Sequence, residues 1–224
     1  MRSDKDIRTD VVAELNWSSS VRDEDIAVAV KDGVVTLGGT VDDYAQRYAA
    51  ERAVEKVNGV RAIANDLTVK LPGALQRSDS EIAHAVVGAL TWNTQVPSNR
   101  ITASVTNGWV TLEGKVAWQF EKQAAERAVR YLTGVKGLTS LITIEVKAPS
   151  PEDLKERIRS SLRRQAELDA LQIKVETVGS KVTLRGTVRS LAERRDAERA
   201  VWNAPGVTQV DDALVVAAPF AAGV

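Results

Sequence analysis

The chain has 224 residues, with 30 basic and 30 acidic side chains and no cysteine. The balanced charge excludes a general nucleic-acid-binding protein, whose affinity comes from many phosphate contacts. The missing cysteines exclude disulfides, thiolate metal sites and a cysteine nucleophile.

One unit of about 72–75 residues recurs three times along the chain. The block Ala-Glu-Arg-Ala-Val stands at 50–54, 125–129 and 197–201, and Gly39, Gly114 and Gly186 keep the same offsets of 75 and then 72. All changes of length fall in connectors, which tolerate them better than packed cores do. The repeat predicts modules at 1–72, 73–148 and 149–218, followed by a C-terminal tail at 219–224.

Each unit begins with the signals of a capped helix. Ser3, Ser78 and Ser150 stand three residues before an acidic residue, which is the spacing of a capping box. Apolar residues then recur every fourth position, so each set lies on one helical face. The three stripes are Ile7, Val11, Leu15; Ile82, Val86, Leu90; and Leu154, Ile158, Leu162.

The next segment of each unit predicts a β-hairpin. Apolar and polar residues alternate on either side of the pairs Asp32-Gly33, Asn107-Gly108 and Gly179-Ser180, which suit tight turns with positive φ. In the second strand of each hairpin, Gly39, Gly114 or Gly186 faces inward, where a missing side chain permits a bulge or the close approach of a helix.

A second helix and a last strand complete the unit. In the first unit the helix is predicted from about 42 to 57 and the strand from 63 to 69, with strands at 138–144 and 210–216 in the others. The Glu of the repeated block lies four residues after a basic residue in each second helix, so each unit can form a surface ion pair. The basic residues are Arg47, Lys122 and Arg194, and the last of them faces Glu198. The predicted fold class is α+β: three tandem αββαβ modules, each a small mixed three-stranded sheet covered on one face by two helices.

The whole pattern resembles the BON domain family. The matching residues run from Gly33 through Val35, Leu37 and Gly39 to Val41, and continue with the Ala-Glu-Arg-Ala-Val block and the segment 57–67. The resemblance implies modules that associate with phospholipid surfaces in osmotic-stress and envelope-stress proteins, which are usually exported. One relative in the family binds potassium in the cytoplasm.

Catalytic chemistry has little support in the residues. The chain has a single histidine, His84, which lies away from the buried stripe of its helix and is expected to be a solvated surface residue. No phosphate-cradling loop, nucleophile elbow or metal-ligand set is present, so we expect no enzyme, no cofactor and no metal site. A weak cation site built partly from carbonyl groups would leave no sequence pattern, and that alternative stays open.

The five tryptophans are the strongest candidates for contact residues. Trp109 is expected on the outer sheet face, while Trp118 and Trp202 occupy positions where the sister units have mostly polar residues. All three are therefore expected to be at least partly exposed, covering a neighbouring module, binding a partner or entering a lipid interface. Trp17 and Trp92 follow the last core leucine of a first helix and are expected to plug the helix end.

Basic residues gather around the second helix of the third unit. They are Arg185, Arg189, Arg194, Arg195 and Arg199, and the first four are the candidate contacts. Near a membrane such a cluster attracts anionic headgroups, although the interspersed acids are also typical of an ordinary solvated face.

The sequence thus predicts a non-enzymatic stress protein that associates peripherally with anionic phospholipid. The alternatives are a protein-interaction or chaperone-like scaffold and a potassium sensor. The sequence has no run of 18 apolar residues, the length that a membrane-spanning helix needs. The start, Met1–Asp6, lacks the apolar stretch of an export signal. We expect a cytoplasmic protein as written, or a periplasmic one if an upstream signal was removed.

Overall fold

The structure is a computed structural model, and it describes residues 2–22, 24–145, 158, 173–204 and 206–216. The first module, residues 1–72, contains α1 (Asp4–Trp17), β1 (Ile26–Lys31), β2 (Val34–Val41), α2 (Tyr44–Lys56) and β3 (Ala62–Val69). The second, residues 73–148, contains α3 (Asp79–Trp92), β4 (Ile101–Thr106), β5 (Trp109–Val116), α4 (Gln119–Arg130) and β6 (Gly137–Ile144). The third, residues 149–218, contains β7 (Ile173–Val178), β8 (Lys181–Val188), α5 (Leu191–Trp202) and β9 (Gln209–Val216).

The predicted fold class is confirmed. Each module has its own three-stranded sheet, with the strand orders β1-β2-β3, β4-β5-β6 and β7-β8-β9. The sheets are mixed, because β4 pairs antiparallel with β5 whereas β6 pairs parallel with β5, and β7 and β9 pair with β8 in the same two ways. The first helix predicted for the third module lies outside the described residues apart from Ile158, which is helical and fully buried.

The described chain forms two compact units. One comprises Met1–Gly39, Ala49–Asp66 and Lys147–Val224, and the other Thr40–Tyr48 and Leu67–Val146. The first unit holds most of modules one and three, and the second holds module two together with the beginning of α2.

The apolar stripes of the first helices form the module cores as predicted. Ile7, Val11 and Leu15 are the buried residues of α1, and Ile82, Val86 and Leu90 are those of α3. Both helices begin with the expected capping box, in which the hydroxyl of Ser3 or Ser78 accepts a hydrogen bond from a backbone N–H. The hydrogen bonds donated by Ser3 and Ser78 hold the pKa of Asp6 and of Glu81 below their ordinary values.

The glycines of the second strands of modules one and two are required by a close backbone approach. A Cβ on Gly39 would lie 1.9 Å from the carbonyl oxygen of Asp25, and one on Gly114 would lie 2.1 Å from that of Arg100. The approaching group is therefore the backbone that precedes the first strand of the hairpin, and not a helix, which was one of the two predicted alternatives. Both glycines also have positive φ, a conformation that L side chains rarely adopt.

A carboxylate on each of two first helices binds the neighbouring hairpin turn. Asp79 accepts hydrogen bonds of 2.7 and 2.8 Å from the backbone N–H groups of Asn107 and Gly108. Asp4 binds the turn of the first module in the same way, with distances of 2.8 and 3.0 Å. The third module has Pro151 at the equivalent position, so this carboxylate is missing there. The sequence analysis did not anticipate the contact.

Replacing Asp79 with Ala should loosen the hairpin of module two. The loss of two charge-assisted hydrogen bonds is expected to lower the free energy of unfolding by about 1–3 kcal/mol. Hydrogen exchange followed by NMR should show lost protection at the amides of Asn107 and Gly108. The control is Ser80→Ala, because Ser80 is the exposed next residue of the same helix. Unchanged protection in Asp79→Ala would contradict the assigned role.

Candidate interaction surfaces

Module two carries most of the exposed apolar surface of the described residues. Of the twelve large hydrophobic residues that are exposed, seven belong to it, three to module one and two to module three. The seven are Val87, Trp92, Trp109, Trp118, Phe120, Tyr131 and Leu141. Such a concentration of apolar side chains on one module is a mark of an interaction surface.

The two equivalent tryptophans at the ends of α1 and α3 are exposed. Trp17 and Trp92 have 86% and 88% of their surface accessible, so the expectation that they plug the helix ends is wrong. Val21 and Val96, four residues further along, are buried and are held by N–H bonds to Ser18 and Asn93. Because these valines close the core beneath each helix, the indole rings lie outside it.

Three aromatic side chains lie at one end of module two. Asp79, at the start of α3, touches the hairpin turn, so Trp92, at the end of this 14-residue helix, lies about 20 Å away at the opposite end of the module. That end also holds the last residues of β5, and α4 follows directly with Trp118 and Phe120, which are 39% and 49% exposed. We call Trp92, Trp118 and Phe120 the aromatic end.

The sequence around Trp92 carries few charges. No acidic or basic residue other than His84 occurs between residues 82 and 99, and the next residue, Arg100, is an exposed cation. Beside Phe120, Glu121 uses its carboxylate to accept hydrogen bonds from the backbone N–H groups of Ala117 and Trp118. The uncharged run is visible in the sequence, whereas the position of Trp92 at the same end of the module as Trp118 depends on the fold.

Trp109 lies on the outer sheet face, as predicted. It is 43% exposed, and its indole Nε1 donates a 2.9 Å hydrogen bond to Thr139 Oγ1. The ring lies over Gly137, where a Cβ would be 2.3 Å from two ring carbons. The sister modules have Ala62 and Gln209 at that position. Trp109 is therefore a partly covered residue on the sheet and lies at the hairpin end, away from the aromatic end.

Trp202 is half-buried against the core of module three. Its ring packs on that core, and its Nε1 donates a 3.1 Å hydrogen bond to Glu198. The expected ion pair between Arg194 and Glu198 is not formed, since Arg194 Nε instead binds Asp212 Oδ2 at 2.5 Å.

Each of the four candidate arginines has a carboxylate partner. The exposed Arg185 and Arg189 pair with Glu176 at 3.5 Å and Glu193 at 3.4 Å. Arg194 and Arg195 are half-buried, the former on Asp212 and the latter on Glu55 of module one. The cluster consequently presents little unpaired positive charge, and its predicted contact with headgroups stays a prediction.

Glu55 is a buried carboxylate at the contact of modules one and three. Its side chain is 6% exposed and accepts from Arg52 at 2.5 Å and from Arg195. Burial raises the pKa of Glu55 to about 7, with the nearby Glu51 acting in the same direction and Arg52 opposing it. Sequence analysis missed this site, because the sister modules have Arg130 and Trp202 at the same position.

The single histidine is a surface residue, as expected. His84 is exposed, and its Nδ1 donates a 2.7 Å hydrogen bond to the Ser80 carbonyl. Within the described ranges no three His, Cys, Asp or Glu residues come together as metal ligands. None of the described helices combines the length and apolarity that crossing a membrane requires.

Three mixed three-stranded sheets, each with its helices, define a tandem-repeat α+β protein. Comparison of the sequence with known families identifies its family. The BON domain matches at residues 3–70, 78–146 and 150–218. The chain belongs to the BON domain family.

The individual proteins that the chain is similar to share less than a third of their aligned residues with it. The chain is 29% identical over 139 residues to osmotically-inducible protein Y of Escherichia coli K12, a stretch that covers 60% of this chain and 69% of that protein. Two solved structures of CdsD, a structural protein of the type III secretion system of Chlamydia trachomatis, are 12% identical, with TM-scores of 0.28 and 0.26. They cover 96% of this chain and 94% and 100% of the solved chains. A likeness at these TM-scores carries no weight for the arrangement of the modules.

Replacing Gly137 with Ala should displace the ring of Trp109. The new methyl group would overlap the indole, so the ring must move and its bond to Thr139 must lengthen or break. Among the five indole N–H signals of an NMR spectrum, only that of Trp109 is expected to shift strongly. Leu141→Ala, on the same strand and face, is the control, and an unmoved Trp109 signal in Gly137→Ala would contradict the packing.

The stability of the chain should depend on pH through Glu55. The folded-state pKa, about 7, lies above the ordinary value of 4.5, so the stabilisation from Glu55 is complete below about pH 4.5 and is lost as the pH rises through 7. The melting temperature of the native chain relative to Glu55→Gln is therefore expected to fall between pH 5 and pH 8. A relative stability that rises over this range would show that the ion pairs with Arg52 and Arg195 outweigh burial.

Proposed function

We propose that this protein is a non-enzymatic, stress-related protein whose BON modules associate with phospholipid membrane surfaces, and that the aromatic end of module two makes the contact. Membership of the BON family and the similarity to an osmotically inducible protein support the stress-related role. The association would be peripheral, at a membrane facing the cytoplasm or, behind an export signal, the periplasm.

The observation that carries this proposal is the exposure of Trp92, Trp118 and Phe120 at one end of one module. Indole and phenyl rings favour the boundary between lipid headgroups and acyl chains, because that boundary accommodates both their apolar bodies and the indole N–H. His84 is the one acidic or basic residue between residues 82 and 99, so the entry of the Trp92 ring into lipid requires little dehydration of charged groups.

Charge has a smaller part in the proposed contact. Residues 73–148 contain 8 basic and 6 acidic residues, a net charge of +2, whereas residues 1–72 contain 10 and 13, a net charge of −3. Exposed Arg100 lies close to the aromatic end and suits an anionic headgroup, which contributes up to about 1 kcal/mol near the surface. The association is therefore expected to prefer anionic lipid and to weaken only moderately in salt.

Sedimentation with lipid vesicles tests the proposal. The native chain is expected to sediment with vesicles that contain phosphatidylglycerol and less with pure phosphatidylcholine. Trp92→Ala and Phe120→Ala should each weaken the binding roughly tenfold, because each removes one large apolar group from the lipid. A native chain that stays in the supernatant with both vesicles would refute membrane association.

A matched control locates the contact. Trp17→Ala removes an equally exposed indole at the same helix position of module one, where Asp43 and Ala45 stand in place of Trp118 and Phe120. We expect this variant to bind as the native chain does. Equal losses in Trp17→Ala and Trp92→Ala would move the contact to the ends of both first helices. Failure to bind vesicles, combined with capture of unfolded polypeptides by the same aromatic residues, would favour the chaperone-like alternative.

A further inference from the structure

Two equivalent positions of the second helices supply contacts between modules. Tyr48, Gln123 and Arg195 are the fifth residues of α2, α4 and α5, and Glu55, Arg130 and Trp202 are the twelfth residues. The two positions are seven residues apart, which is about two helical turns, so they lie on one side of each helix.

The same pair of positions makes a contact in each compact unit. In the unit that contains module two, the guanidinium carbon of Arg130 lies 3.6 Å from the ring centroid of Tyr48. In the other unit, Arg195 Nη2 contacts Glu55 Oε1. In both cases a fifth-position residue of one module thus meets a twelfth-position residue of another module. Module one supplies the fifth residue to module two, and module three supplies the fifth residue to module one.

We propose that these positions form a contact code, in which the fifth residue of one second helix selects the twelfth residue of another. The partner of each surface is a BON module of this same chain. The code is independent of the membrane association proposed above, since none of its residues belongs to the aromatic end.

The chemistry of the two observed pairs makes them selective. Arg195 faces the carboxylate of Glu55, whereas a pairing with Arg130 would bring two guanidinium groups together. The flat ring of Tyr48 suits the face of the Arg130 guanidinium. If Tyr48 were paired with Glu55 instead, the carboxylate of Glu55 would have no cation from another module. Attraction in the right pair together with repulsion in the wrong one gives more discrimination than attraction alone.

The groups that form these contacts are partly buried. Glu55 is a buried charged residue of the described chain. Arg195 Nη1 and Arg130 Nε are buried and form no hydrogen bond there. Each contact therefore removes part of a charged group from water, which makes the identity of the facing residue matter.

Charge reversal in the full chain tests the code. The chain has no cysteine, so single cysteines at exposed Lys31 and Val178 can carry spin labels on modules one and three. At about pH 8, where Glu55 is ionised, we expect one narrow label-to-label distance in the native chain. Arg195→Glu and Glu55→Arg should each lose that narrow distance, and the double variant, which restores opposite charges, should recover it.

Two further variants keep the test decisive. Arg185→Glu reverses an arginine that pairs with Glu176 inside module three, and its label-to-label distance should stay narrow. If a reversed variant does not fold, Glu55→Gln and Arg195→Gln replace it, and each is expected to broaden the label-to-label distance at pH 8, with no further broadening when the two are combined. A narrow distance in both single reversals, or a double variant no better than the singles, would overturn the proposal.

Discussion

The second helix of each module lies against its sheet in one rotation, and the rest of the structure follows from that constraint. Ala50, Ala125 and Ala197 are completely buried, as are Val54, Val129 and Val201 four residues later. An alanine at the point of closest approach allows the helix backbone to come near the sheet, and a larger residue would hold it away. With the inner face fixed in this way, equivalent positions of the second helix point in the same direction relative to the sheet in all three modules.

This constraint separates the residues that make the fold from those that distinguish the modules. The strands, the capped first helices and the alanines share one apolar pattern. The outward positions have diverged: module two has exposed aromatic rings, module three has cross-strand ion pairs such as Arg185 with Glu176 and Lys181 with Asp211, and module one has a buried carboxylate. Three bodies with one core can therefore offer three different surfaces.

Most of the fold could be predicted from the sequence because its signals are local. The serine caps, the Asp-Gly and Asn-Gly turns and the four-residue apolar spacing each act within a few residues, and their threefold repetition removed the ambiguity of any single one. The predicted strand limits, such as 63–69, differ by one residue from the observed Ala62–Val69. The contact of Asp79 with a turn 28 residues away depends on how the helix lies on the hairpin, and local spacing does not show that.

The candidate site was less predictable, since exposure and pairing are properties of the assembled chain. Trp109 was placed correctly because strand alternation gives the direction of a side chain directly. Trp92 was placed wrongly because a buried valine four residues later closes the core in its place. The partners of Arg194 and Arg195 were also beyond the sequence, because one lies on a strand 18 residues away and the other on a helix 140 residues away.

The position shared by Glu55, Arg130 and Trp202 also has an evolutionary consequence. When a gene segment encoding such a domain is duplicated, the copy inherits the same core and initially the same neighbours as its parent. Substituting this one codon is enough to give the copy an acid, a base or an aromatic group at that position. A tandem array can thus acquire distinct contacts between its modules by changes at a single position of each copy.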